Sequence, residues 1–187
     1  MRALGFAVLL GVAVLAGCGA PERLSTTPQP SAAVPVDVTE AKFDALDAAV
    51  NSHKGKVVLM DFWATWCPPC RKYFPDFVEA HKKHADKGLV CVSVSMDKVW
   101  ERGGYSKTRV LEFLKLQGAT FPNFVSTDRD DDRLTERFGL GRSIPYQALL
   151  NKEGKRVWRS TDWQERDITK AEYDAELDKL IQAELAK

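Results

Sequence analysis

The segment that most constrains the fold runs from Val57 to about Ala85. It opens with Val57-Val58-Leu59-Met60-Asp61-Phe62, a short apolar run that reads as a strand covered on both faces. Cys67-Pro68-Pro69-Cys70 then begins a helical stretch. Proline is accepted in a helix's first turn, where N–H groups have no intrahelical partner. Pro75 lies deeper and is expected to kink the helix. A buried strand leading straight into a helix requires a sheet around it and further helices to cover that sheet.

The rest of the chain supplies such parts. Thr39, followed by Glu40, Phe43, Leu46 and Val50, predicts a capped amphipathic helix. Leu89 to Met96 predicts a second buried strand after Gly88, and Thr108 to Gln117 a helix. A short strand around Phe124-Val125 precedes an acidic turn, Asp128 to Asp132, and a short helix ending near Phe138-Gly139. Tyr146–Leu150 and Arg156–Ser160 flank the turn Asn151-Lys152-Glu153-Gly154, a hairpin signal. Tyr173, Leu177, Leu180, Ile181 and Leu185 share one face of a closing helix. The pattern is α/β: a mixed central sheet flanked by helices.

The N-terminus addresses the chain. Arg2 precedes 13 residues from Leu4 to Ala16 that are mostly apolar. That run is too short for a membrane span, which needs roughly 20, but suits a signal peptide. Leu15-Ala16-Gly17-Cys18 resembles a bacterial lipobox, which implies a signal peptide over 1–17 and lipidation of Cys18. The following residues are rich in Ala, Pro, Ser and Thr, with prolines at 21, 28, 30 and 35. Residues 18–36 are therefore expected to be a lipidated flexible tether and 37–187 a folded domain. With 27 basic against 26 acidic residues, the chain has no net basic field, and nucleic acid is not an expected partner.

Four cysteines are present, and lipidation accounts for Cys18. Cys91 lies in an apolar strand and reads as a small core residue. Cys67 and Cys70 close too short a loop to staple a fold, so a reversible redox pair is the better use of their spacing. At a helix start, N–H groups and the helix dipole stabilise a thiolate on the first cysteine, with the second one turn later to resolve a mixed disulfide. A zinc site needs two more ligands, and no second C-x-x-C or well-spaced His pair is present. The pattern requires no cofactor or metal.

Val58 through Cys70 closely resembles the active-site strand and helix of thioredoxins, nearest to the TlpA/ResA-like branch of membrane-tethered thiol–disulfide oxidoreductases. The resemblance covers about Val36 to the C-terminus and implies a thioredoxin-like fold with a TlpA-like central insert before Ile144. By resemblance, Cys67 attacks, Cys70 resolves, and Asp61 handles the proton of the resolving thiol. Burial would raise the Asp61 pKa towards a useful range. Trp63 and Trp66 would shield the disulfide, while Ile144 and a cis-Pro145 would present backbone to an extended substrate. Implied partners are protein or peptide disulfides, a membrane or envelope electron donor, and the membrane itself through the lipid anchor. Implied localisation is the extracytoplasmic side of the cell envelope.

Other readings compete. A peroxiredoxin-like peroxidase would carry Pro and Thr where Met60 and Ala64 stand, and a copper-binding assembly factor favours C-x-x-x-C. His81 and His84, flanked by lysines, are expected on a solvated helix face rather than on a metal. The turn at Asp128 to Asp132 lacks the spacing of a calcium loop. Trp100, Arg102 and Tyr105 are candidates for a loop beside the site.

Overall fold

The computed structural model describes residues 34–100, 104–128, 132–161 and 169–187. The expected signal peptide, Cys18, most of the proposed tether and Arg102 lie outside them. In chain order the elements are β1 (Thr39–Ala41), α1 (Phe43–Asn51), β2 (Val57–Trp63), α2 (Pro68–His84) and β3 (Leu89–Ser95). Then come α3 (Lys107–Gln117), β4 (Asn123–Ser126), α4 (Asp132–Phe138), β5 (Tyr146–Leu150), β6 (Arg156–Arg159) and α5 (Lys170–Leu185).

The six strands form one sheet in the order β1-β4-β3-β2-β5-β6. The pairs β1–β4, β4–β3 and β3–β2 are parallel, whereas β5 runs antiparallel to both β2 and β6. All seven residues of β2 are buried, as expected of a central strand covered on both faces. Alternation along the strands separates two cores. Val57, Leu59 and Trp63 pack with α2, α3 and α5 through Phe74, Phe77, Val110, Leu114 and Ile181. Val58, Met60 and Phe62 pack with α1 and α4 through Leu46, Val50, Leu134 and Phe138. The result is a helix–sheet–helix sandwich, with α3, β4 and α4 inserted between β3 and β5.

Two local expectations change. Thr39 caps no helix: it begins the edge strand β1, and α1 starts at Phe43 with no capping side chain from Lys42. The donor left over there goes instead to a distant acceptor, because the Phe43 N–H donates to the Asp128 carboxylate. That gives part of the acidic turn a structural task. His84 is also not solvated: it is 1% exposed, with Nε2 2.7 Å from the Asp178 carboxylate on α5. The lysines beside it signal a wet face, but α5 lies over the last turn of α2. Pro75 sits inside α2 without ending it. Cys91 is fully buried in β3.

Candidate active site

Cys67 and Cys70 are joined by a disulfide at the start of α2, with Cα atoms 5.3 Å apart. Cys67 is the N-cap residue, and its Sγ accepts the Cys70 N–H at 3.3 Å. Pro68 and Pro69 occupy the first two helical positions and bring no N–H, so Cys70 supplies the first donor of the helix. Both cysteines are buried, and the prolines between them are exposed.

The loop entering the helix is held from β3's end. The Asp97 carboxylate, 2% exposed, accepts the Thr65 backbone N–H at 2.9 Å, the Thr65 hydroxyl, and the Ser95 hydroxyl at 2.8 Å. Sequence reasoning missed Asp97, since its only local signal is a polar residue just past an apolar strand. Trp63 is wholly buried, with its ring against Phe74 and Phe113, in the same cluster as both cysteines. Trp66 is half-buried against that cluster. The Ile144–Pro145 bond is cis, and the Ile144 carbonyl oxygen lies 3.8 Å from Cys67 Sγ. Tyr105 is tied to β1, donating to Glu40 at 2.7 Å.

A polar row crosses the mainly apolar face of the sheet that α2 and α5 cover. Asp61 on β2 stands in register with Ser93 on β3 and with Gln147 on β5. Ser93 is in turn opposite Asn123 on β4 and donates to its Oδ1 at 2.7 Å. Gln147 Nε2 donates to Asp61 Oδ1 at 3.1 Å, and Tyr173 of α5 donates to Gln147 Oε1 at 2.9 Å. Asp61 is 4% exposed. Burial pushes its carboxyl up to about 7, while the Gln147 N–H works in the opposite direction. The Cys91 thiol is pushed well up, by burial first and by the nearby Asp61 charge second.

Asp61, Cys70, Pro145, Gln147, Lys170 and Tyr173 line one cleft of about 980 Å³ running between α2 and α5. Among the described residues, no cluster of three His, Cys, Asp or Glu side chains is placed to hold a metal ion. The arrangement puts an S–S bond, a buried carboxyl raised to about 7 and the cis Ile144–Pro145 peptide in one neighbourhood.

Residues 29–177 match the family described as Redoxin. The chain belongs to the Redoxin family. Among its relatives is the thiol-disulfide oxidoreductase ResA of Bacillus subtilis (strain 168), 36% identical over 104 residues, which are 56% of this chain and 52% of that one. The chain thus spans about half the length of the curated relatives it matches. The thioredoxin-family thiol:disulfide interchange protein of Chlorobium tepidum TLS aligns with a TM-score of 0.53 at 24% identity, over 72% of this chain and 83% of its own, and shares the fold. The pneumococcal exposed lipoprotein thioredoxin Etrx1, from Streptococcus pneumoniae strain TIGR4, aligns at 0.50 with 28% identity, over 70% of this chain and 88% of its own. A thioredoxin-like architecture is thereby established for this Redoxin-family chain.

Proposed function

We propose that this chain is an extracytoplasmic thiol–disulfide oxidoreductase that reduces disulfides of exported proteins through Cys67 and Cys70. The observation that carries the reading is the Cys67–Cys70 disulfide at the N-terminus of α2, beside the Ile144 carbonyl and above a cleft that Asp61 and Cys70 share. The names of relatives such as ResA support the reaction class.

In the reduced enzyme, the Cys67 thiolate attacks one sulfur of a substrate disulfide. A Cys67–substrate S–S bond forms, and the other substrate sulfur leaves as a thiolate and takes up a proton. Asp61, as carboxylate, then accepts the Cys70 thiol proton. The Cys70 thiolate attacks Cys67 Sγ, closes the Cys67–Cys70 bond and releases the second substrate sulfur, which is protonated in turn. Two electrons have passed from the enzyme dithiol to the substrate, and an external dithiol donor must return them. Ile144 and Pro145 would pair with extended substrate backbone, and Trp66 would cover its side chains.

The two prolines favour reduction. With no N–H on Pro68 or Pro69, fewer donors reach Cys67, so the thiolate is less stabilised and the couple more reducing. The lipobox-like Leu15-Ala16-Gly17-Cys18 supports an anchor at Cys18 with residues 18–36 as tether. The name of Etrx1 includes a lipoprotein thioredoxin, which is consistent with that arrangement.

The test combines insulin reduction with a redox titration against glutathione. The expected outcome is dithiol-dependent activity lost in Cys67→Ser, with a potential well below about −120 mV, the value of a strong oxidant. A potential near that value would reverse the direction. Stoichiometric tight copper binding without reductase activity would replace the reading altogether.

A further inference from the structure

We infer that Gln147, supported by Tyr173, is a positioning residue for disulfide exchange: it engages Oδ1 of Asp61 and leaves Oδ2 to carry the proton exchanged with Cys70. The inference rests on the proposed role of Asp61 and adds the residues through which that role is set.

Three observations support it. Gln147 is directly opposite Asp61 across an antiparallel pair, where side chains on one face are neighbours. Its backbone is doubly tied to the end of β6: its N–H donates to Ser160 Oγ at 3.0 Å and its carbonyl accepts the Ser160 N–H at 2.8 Å. A primary amide can turn over and present oxygen instead of nitrogen. The ionised Asp61 carboxylate only accepts and so selects Nε2, and Tyr173 complements that orientation by donating its hydroxyl to Gln147 Oε1 at 2.9 Å.

The chemistry of the clamp matters as much as its geometry. Tyr173 is pushed up, by burial first and then by the charges of Asp61 and Asp174, so it remains a hydroxyl donor through the neutral range. Cys91 and Ser93 from β3, Gln147 from β5 and Tyr173 from α5 stand around Asp61, and Cys70 of α2 lines the same cleft. Lys170 and Asp174 pair with each other and border the same cleft. Among the described residues no cation is hydrogen-bonded to Asp61 or ion-paired with it. A neutral amide donor favours the carboxylate without holding it permanently ionised, as a lysine would, so the group can both take and return a proton.

The experiment uses the full chain and reads two quantities: the titration of the Asp61 carboxyl by carbon-13 NMR, assigned by its disappearance in Asp61→Asn, and the pH profile of disulfide exchange. In Gln147→Leu the Asp61 midpoint is expected to rise by about one unit or more, with the exchange profile moving by the same amount. Tyr173→Phe keeps the ring and is expected to shift both in the same direction by less. Leu116→Ala, on the exposed face of α3, serves as the unshifted control. If Gln147→Leu and Tyr173→Phe fold and the Asp61 midpoint or the exchange profile stays at the wild-type value, the inference is overturned. The proton role of Asp61 survives that result if Asp61→Asn still removes the limb of the profile near pH 7. If Asp61→Asn leaves the profile unchanged, the role of Asp61 and the inference fall together.

Discussion

Asp61 occupies a position where the alternation of β2 calls for an apolar side chain. Val57, Leu59 and Trp63 share its face, and all are in the core. Its folded pKa, about 7, lies above the ordinary carboxylate value of 3.8. A group raised on folding contributes stability that is complete below its unfolded pKa and lost as pH rises through the folded one. The charge of Asp61 should therefore weaken the protein between about pH 4 and 7, reaching a cost on the order of 4 kcal/mol at most above pH 7. Asp61→Asn keeps shape and hydrogen bonding without the charge. Chemical denaturation should find it more stable than wild type at pH 8 and equal to it at pH 4. An equal difference at both pH values would show that the carboxyl does not titrate in this window.

At the scale of elements, α2 depends on what lies outside it. Its two prolines and Cys67 announce its start in the sequence, but the loop before it is fixed by Asp97, 32 residues from Thr65. Asp97→Ala would leave the Thr65 N–H and two hydroxyls buried without that acceptor. A loss of about 2–4 kcal/mol is expected in urea unfolding. Exchange should also slow, because the turn carrying Cys67 loosens. A variant that loses stability but exchanges at the wild-type rate would separate the loop from the chemistry. The same dependence on distant partners explains the two local misreadings. Thr39 has the composition of a cap, yet pairing with Phe124 draws it into the sheet, and Asp128 takes up the helix donor. His84 has the neighbours of a solvated residue, yet Asp178 reaches it from the other end of the chain.

For the whole molecule, the two cores are joined to the site through β5. Its odd-numbered Gln147 and Leu149 face α2 and α5, while Tyr146, Ala148 and Leu150 face α1 and α4. On that second side, Tyr146 donates to the Phe138 carbonyl at 2.8 Å where α4 ends. Gly139 follows at φ +80°, and a Cβ there would stand 2.6 Å from Tyr146 Oη and 2.7 Å from Arg156 Nη1. Gly139→Ala should therefore cost at least about 2 kcal/mol, from left-handed strain and displacement of both side chains. Thermal unfolding measures it, and an unchanged Tm would mean that α4 and the hairpin are not coupled through this contact.

Adjacency along the chain determined the strand-to-helix junction, the cysteine pair in its first turn, the hairpin and the alternation of strands with helices. Those features depend on periodicity and turn chemistry within a few residues, which a sequence displays directly. The polar row of Asn123, Ser93, Asp61 and Gln147, with Tyr173 above it, was decided only by tertiary structure. Its members come from four strands and a helix. Each alone is an ordinary polar residue in or beside an apolar segment. Only strand order and register bring them side by side, and only burial by α2 and α5 moves Asp61 into the range where its proton can be exchanged near neutral pH.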